Sequence, residues 1–199
     1  MRHVDGWEKY LVIENLFCEA KQFVDIKEEN FDVTSMFFSN QVILLGAEIE
    51  AAFKKICSLN GVSGGNMSQY KEETLKLFPN IAKYGCDLLL TDYEVLPFDD
   101  WKDEGGKLDW WDVYINVKHS TVDNCATLKI AIGMLSALEI LLLLIEAKAH
   151  NDLGSDGFIS ATLFQNEIPN LLLPKFRRRA SLKSVGVTTS FLLPQEDVK

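Results

Sequence analysis

The side chains best suited to chemistry lie within ten residues, 110–119. On a helix, Asp112, Asn116 and His119 follow one another at steps of four and three, so they share one face. A carboxylate, an amide and an imidazole in one row can hold a phosphate group or donate a proton to a leaving group. Lys118 adds a positive charge beside His119, where the helix C-terminus also favours the protonated imidazole. These residues predict a functional site on this helix.

A structural interpretation of the same residues stays open. A histidine near a helix end with polar neighbours is often a hydrogen-bonded surface or interface group, and such groups do not by themselves define a site. Trp110, Val113 and Val117 fall on the opposite face, with Tyr114 beside them. We expect the tryptophans to anchor the preceding loop on the following helix, and not to stack on bases.

The elements that must position this row are mainly helical. Apolar spacing and capping residues predict five helices and a fold class of all-α, with a small irregular or β addition. The predicted helices cover residues 7–29, about 34–59 with Thr34 or Ser35 as cap, 68–78 capped by Ser68, 109–119 capped by Asp109, and 123–150. Residues 86–95 are a short strand or an irregular extended segment, and residues 185–193 form a β-like tail. A turn at residues 154–157 divides a helical domain, 1–153, from a C-terminal extension, 154–199, that we expect to pack on the bundle or on a partner.

Composition limits the classes of function. The 199-residue chain has a net charge of −9, which argues against a broad electrostatic surface for nucleic acid. A short basic run, residues 175–179, either contacts phosphate or an acidic partner, or is a solvated turn. The four cysteines, Cys18, Cys57, Cys86 and Cys125, are far apart and form no CxxC pair, so we expect reduced thiols, no metal and no cofactor.

One segment, residues 130–145, is apolar enough to suggest a membrane helix. It has 16 residues and contains Glu139, whereas a span needs roughly 20 apolar residues. A helix that is apolar all round is also expected in a protein core. We therefore expect it at the centre of the bundle or at a dimer interface, where Ala126, Gly133 and Ala137 would let another helix approach. With no signal peptide at the start, a cytoplasmic protein that does not enter the membrane is expected.

The motif Trp110-Trp111-x-x-Tyr114-x-x-Val-Lys118-His119, which leads into a long Ala/Leu-rich helix, resembles the WW-x-x-YN-x-(V/I)-KH segment of a group of bacterial HEPN-like helical proteins. Residues 39–55, which contain an E-x-E-x-x-x-K pattern, resemble the second helix of that group. The resemblance covers about residues 10–148. It implies a small helical bundle, often a homodimer, of a class in which many members are metal-independent ribonucleases that act as toxins or in antiviral defence.

The resemblance also implies roles for individual residues. His119 would be the general acid or phosphate ligand, Lys118 and Asn116 would stabilise the phosphate charge, and Tyr114 would position the helix. Glu48 either faces His119 as an orienting carboxylate or is a solvated helix charge. The chain departs from the motif at two places: it has Ile115 where the motif has Asn, and Thr121 where an Arg is often found.

Two functions follow as expectations. The first is a cytoplasmic HEPN-like protein of bacterial stress or anti-phage defence that cleaves RNA, with RNA or another defence protein as partner. The second is a non-catalytic interaction protein that uses its long apolar helix as a dimer or partner interface. Ile115 favours the second, because the usual polar partner of the histidine is missing.

Overall fold

The computed structural model describes residues 6–88, 91–119 and 126–149 and one further strand, Leu172–Phe176. This part of the chain contains five α-helices, so the predicted, mainly helical fold is confirmed. The helices are α1 (Trp7–Glu19), α2 (Met36–Leu59), α3 (Met67–Leu77), α4 (Asp109–His119) and α5 (Leu128–Ala149). The strands are β1 (Tyr84–Leu88), β2 (Glu94–Val95) and β3 (Leu172–Phe176).

Helix α5 lies at the centre of the fold, packed against α1, α2, α4 and β1. By length and composition it could cross a membrane, but 83% of its most apolar window is buried inside the protein. Leu135, Leu138 and Leu141 are completely buried, as the central helix of a soluble bundle requires. The sequence predicts this helix either at the centre of the bundle or at a dimer interface. In the described structure it lies at the centre of the bundle.

Helix α2 is the longest helix in the part of the chain that the structure describes, and both of its ends follow known capping rules. Ser35, one of the two predicted caps, accepts a hydrogen bond from the Phe38 amide at 3.1 Å. At the other end Gly61 has a φ of +73°, and the Gly61 and Val62 amides donate to Ser58 and Cys57 carbonyls at 3.0 Å each. This Schellman arrangement satisfies carbonyls that the helix leaves open, and it explains why the helix ends before Gly61.

The predicted end of the first helix and the predicted start of the third helix are wrong. The first helix ends at Glu19 and continues only as a short 3-10 turn, Ala20–Gln22, because Val24, Asp25 and Ile26 have low helix propensities. The third helix is capped by Asn66, whose side-chain oxygen accepts from the Gln69 amide at 3.0 Å, and Ser68 lies inside it.

Helix α4 and the sheet complete the frame around α5. The Leu108 carbonyl accepts from the Trp111 and Asp112 amides, so Leu108 takes the cap position predicted for Asp109, which is the first helical residue. Strand β1 lies between β2 and β3 and is antiparallel to both, which confirms a strand within residues 86–95. The predicted tail at residues 185–193 and the arginines of the basic run, 177–179, lie outside the described residues.

Candidate functional site on helix α4

Helix α4 has a buried face and an exposed face, divided as the spacing predicts. Trp110, Trp111, Tyr114 and Val117 are buried. The Trp110 indole donates to the Pro97 carbonyl at 2.8 Å, which ties the preceding loop to the helix. The Trp111 ring packs edge-on against the rings of Phe53 and Tyr70, on α2 and α3. The tryptophans therefore anchor α4 and its loop, as expected.

The exposed face carries the polar row predicted from the sequence. Asp112, Asn116 and His119 are all exposed. No hydrogen bond or ion pair joins their side chains to any other residue that the structure describes. The three groups thus lie in one row on an open helix surface, and nothing described fixes the orientation of the imidazole.

A charged cluster joins α4 to α2 around Glu50. The Tyr114 hydroxyl and the Lys118 amino group each donate to Oε1 of Glu50 at 2.8 Å. Lys54, one turn further along α2, lies 3.8 Å from Oε2 of the same carboxylate. The Lys118 amino group also lies 5.0 Å from the centroid of the Tyr114 ring. We call Glu50, Lys54, Tyr114 and Lys118 the Glu50 cluster.

The electrostatics of the Glu50 cluster favour the ion pair. Partial burial opposes ionisation of Glu50, but hydrogen bonds from Lys118 and Tyr114 outweigh it and lower the pKa of this carboxyl. The hydrogen bond to Glu50, and next the interaction with the Tyr114 hydroxyl, raise the pKa of Lys118. Burial is the main cause of the raised pKa of Tyr114. Lys118 is therefore a cation whose charge is already balanced by a carboxylate, which weakens its attraction for a phosphate group.

Glu48 does not take the position proposed beside His119. It accepts from the Lys9 amino group at 2.9 and 3.1 Å, on the side of α2 that faces α1. Residues two positions apart on a helix point about 200° away from each other, so Glu48 and Glu50 cannot both face α4. Glu50 is the carboxylate that α2 presents to this helix.

Sequence reasoning therefore identified Tyr114 and Lys118 but missed their partner. Glu50 lies in the same E-x-E-x-x-x-K pattern as Glu48, so the pattern alone could not distinguish them. One signal was available, because Gly46 lies one turn before Glu50 and an isolated glycine inside a helix often marks a close approach of another group. That group is the Tyr114 ring.

The sequence predicts reduced cysteines and no metal, so the positions of the thiols and of other possible metal ligands are relevant. Cys18, Cys57 and Cys86 are free, and Cys125 lies outside the described residues. Among residues 6–88, 91–119 and 126–149, no three His, Cys, Asp or Glu side chains are grouped as metal ligands.

No protein-family model, no curated protein and no solved structure matches this chain. The HEPN-like resemblance rests on the residues of α2 and α4 quoted for it.

Proposed function

We propose that this protein is a HEPN-like, non-catalytic interaction protein that assembles with a second copy of itself. The observation that carries the proposal is an exposed apolar surface on α1 and α2, which we call the α1–α2 strip. Its members and their exposed fractions are Met36 68%, Val12 60%, Leu44 46%, Ile43 40% and Leu16 37%.

The strip is continuous because α1 and α2 run antiparallel. Lys9 pairs with Glu48 near one end, and the Phe17 ring contacts that of Phe37 near the other. This register places Val12 beside Leu44 and Leu16 closer to the start of α2. Contiguous exposed apolar residues on a soluble domain commonly mark a protein interface.

The spacing on α2 fits a second copy of the same helix. Met36, Asn40, Ile43 and Ala47 follow steps of four, three and four, which is the seam spacing of a coiled coil. An antiparallel two-fold pairing centred between Asn40 and Ile43 places Met36 opposite Ala47 of the other copy. Large side chains then face small or polar ones, so one surface complements itself, as an isologous dimer requires. Dimers are also common in the family that the motif resembles.

Light scattering after size-exclusion chromatography tests this assembly. We expect a dimer for the native chain and a monomer for Ile43→Lys, since a lysine at the seam must be desolvated in the dimer. Leu59→Lys is the matched control, because Leu59 is equally exposed, at 42%, but lies at the end of α2 away from the strip. A native chain that stays monomeric at its solubility limit, or a control that dissociates as readily, would refute the interface.

A metal-independent ribonuclease is the second candidate, supported by the exposed row of Asp112, Asn116 and His119. His119 would then act as general acid or phosphate ligand, with Asn116 in place of the amide that Ile115 lacks. Two features weaken it: Lys118 is held by Glu50, and the net charge of −9 repels RNA.

Incubation of the purified protein with total RNA and a chelator separates the two candidates. If the row is catalytic, His119→Ala abolishes cleavage with little change in melting temperature, because His119 is exposed. Lys55→Ala, which removes an exposed side chain outside the row, should keep full activity. If the native chain does not cleave RNA but Ile115→Asn does, the native site has lost an ancestral ribonuclease activity. If neither the native chain nor Ile115→Asn cleaves RNA, only the proposal of a non-catalytic interaction protein remains.

The cellular setting is proposed from the resemblance: a cytoplasmic protein of bacterial stress or anti-phage defence, with RNA or another defence protein as a further partner. Phage plating on bacteria that express the native chain or Ile43→Lys tests it. Protection that depends on residue 43 would support a defence role through assembly, and equal plating on all strains would contradict that role.

A further inference from the structure

Four polar side chains lie together in the otherwise apolar core, away from α4. They are Tyr10 and Glu14 of α1, Cys86 of β1 and Glu139 of α5, and each is 0% exposed. The Tyr10 hydroxyl donates to Oε1 of Glu14 at 3.4 Å, and the Cys86 thiol donates to Oε2 of Glu139 at 3.4 Å. Oε1 of Glu139 has no hydrogen-bond partner among the residues that the structure describes. We call these four residues the core carboxyl cluster.

No described cation compensates a charge on Glu139. The ionisable groups that act on it are Tyr10 and Glu14 from α1 and Cys86 from β1, and none of them is basic. Asp87, next to Cys86, adds a further acidic group on β1. On α2, Glu48 and Glu50 pair with Lys9, Lys54 and Lys118 at the surface, and the Cys57 sulfur lies beside Gly64, in the loop before α3. An ionised Glu139 would therefore be an uncompensated anion in a low-dielectric interior, which is strongly unfavourable.

The pKa of Glu139 agrees with this geometry. Burial raises it to about 8, helped by repulsion from Glu14, while the neighbouring Cys86 thiol and Tyr10 hydroxyl oppose the shift. The pKa values of Cys86 and Tyr10 are also raised, mainly by burial, so neither group competes for the role of anion near neutrality.

We propose that Glu139 carries a proton in the folded protein, and that this proton is a pH-sensitive latch between α1 and α5. While Glu139 is neutral, the two carboxyl side chains can lie on either side of Tyr10 without strong repulsion. When the proton leaves, an anion forms in the core next to the Glu14 side chain, and the packing of α1 on α5 and β1 weakens. Helix α1 is the element that yields, because it has 13 residues, begins at Gly6 without a side-chain cap, and contributes Glu14 to the repulsion.

The direction of the pH effect follows from proton counting. An unfolded Glu has an ordinary pKa near 4.5, below the value of about 8 in the fold. Between these two values the folded state holds one proton more than the unfolded state, so stability falls as the pH rises. Below this range the group has no effect, and above it the full penalty of a buried carboxylate is present. One proton corresponds to a change of up to about tenfold per pH unit in the unfolding equilibrium constant.

Denaturant unfolding from pH 5 to pH 9 tests the latch, with Glu139→Gln as the variant, since an amide cannot ionise. We expect the variant to gain stability relative to the native chain as the pH rises toward 8, and the gain to level off above it. Glu146→Gln, on the same helix but only half-buried, should follow the native curve over this range. Native and Glu139→Gln curves that stay parallel from pH 5 to 9 would overturn the proposal.

Two further measurements keep the test decisive if Glu139→Gln folds poorly. Infrared spectroscopy of the native chain at pH 7 should show the band of a buried protonated carboxyl, and that band should disappear above pH 9. Hydrogen exchange, corrected for the intrinsic rate at each pH, should show α1 amides losing protection between pH 7 and pH 9 while α2 amides keep theirs. A native chain without the carboxyl band, or with α1 and α2 equally protected at both pH values, would contradict the latch.

Discussion

Gly46 of α2 lies directly against the ring of Tyr114 on α4. A methyl group at position 46 would lie 2.6 Å from Cζ of the ring, and closer still to two other ring carbons. The missing side chain lets the two helices approach, and the Tyr114 hydroxyl then reaches Glu50, one turn further along α2. This contact between backbone and ring, together with the packing of both tryptophans, sets the position of the helix that carries His119.

Gly46→Ala should destabilise the protein, although Gly→Ala inside a helix normally stabilises it. We expect a loss of about 1–3 kcal/mol in the free energy of unfolding, typical of an overpacked contact. Gly133→Ala is the control, because a methyl group there would lie 3.9 Å from the nearest side-chain atom and should gain roughly 0.5–1 kcal/mol. Denaturant unfolding of both variants measures whether each change raises or lowers the free energy of unfolding. A stabilised Gly46→Ala protein would show that α4 is not held by this contact.

Most of the helices could be predicted because the sequence features that define them lie within or next to each helix. Helix α2 has a cap residue, a regular apolar stripe and a terminal glycine, and α5 is apolar on all sides. Strand β3 could not be found in this way, because its pairing partner β1 is far away in sequence. Pro174 also makes the segment a poor strand by composition, although a proline is tolerated at a sheet edge.

The site was predicted only in part, for a geometric reason. The spacing on α4 separates its buried face from its exposed row without any knowledge of the neighbouring helices. Choosing between Glu48 and Glu50 requires the direction from which α4 approaches α2, and that direction depends on Gly46 and on the packing of both tryptophans. The core carboxyl cluster was missed because Tyr10, Glu14, Cys86 and Glu139 come from three separate elements.

Leu138→Asp tests the central position of α5. Leu138 is 0% exposed, and an unpaired carboxylate there should cost about 3–5 kcal/mol, enough to prevent soluble folding of a marginally stable domain. Leu44→Asp, on the exposed α1–α2 strip, should stay folded and soluble. Soluble yield and circular dichroism of the two proteins make the comparison. A well-folded Leu138→Asp protein would mean that α5 is not in the core.

The described thiols should differ in their rates of alkylation. Burial raises the pKa of Cys18, Cys57 and Cys86, and most strongly that of Cys86, so each thiolate is scarce at neutral pH. Cys18 is the only one of these three that is partly exposed, so iodoacetamide should modify it first and reach Cys86 only after unfolding. Peptide mass spectrometry after timed labelling measures the order. Elemental analysis of the same sample should find no stoichiometric zinc, and early loss of the Cys86 thiol would contradict its burial.

The two carboxylates of α2 should contribute unequally to stability. Glu50→Gln leaves the Tyr114 hydroxyl and Lys118 without an ionised acceptor, and we expect a loss of about 1–2 kcal/mol near pH 7. Glu48→Gln affects only an ion pair with Lys9, which is 66% exposed, so its loss should be below about 1 kcal/mol. Tyr114→Phe combined with Glu50→Gln should cost less than the sum of the single changes, because both remove the same hydrogen bond.

The difference in stability between the native chain and Glu50→Gln should depend on pH in the acid range. The folded pKa of Glu50 lies below the ordinary value of 4.5, so its ionised form stabilises the fold above that pH, and the contribution is lost as the pH falls through the lowered pKa. The stability gap between the native chain and Glu50→Gln should therefore be full at pH 6 and close progressively below about pH 4. Glu139 does not disturb this test, because it is present in both proteins and its contribution cancels in the difference. Unfolding curves collected from pH 3 to pH 7 supply the gap. A gap that is unchanged at pH 3 would show that the lost packing of the side chain, and not its charge, explains the effect of Glu50→Gln.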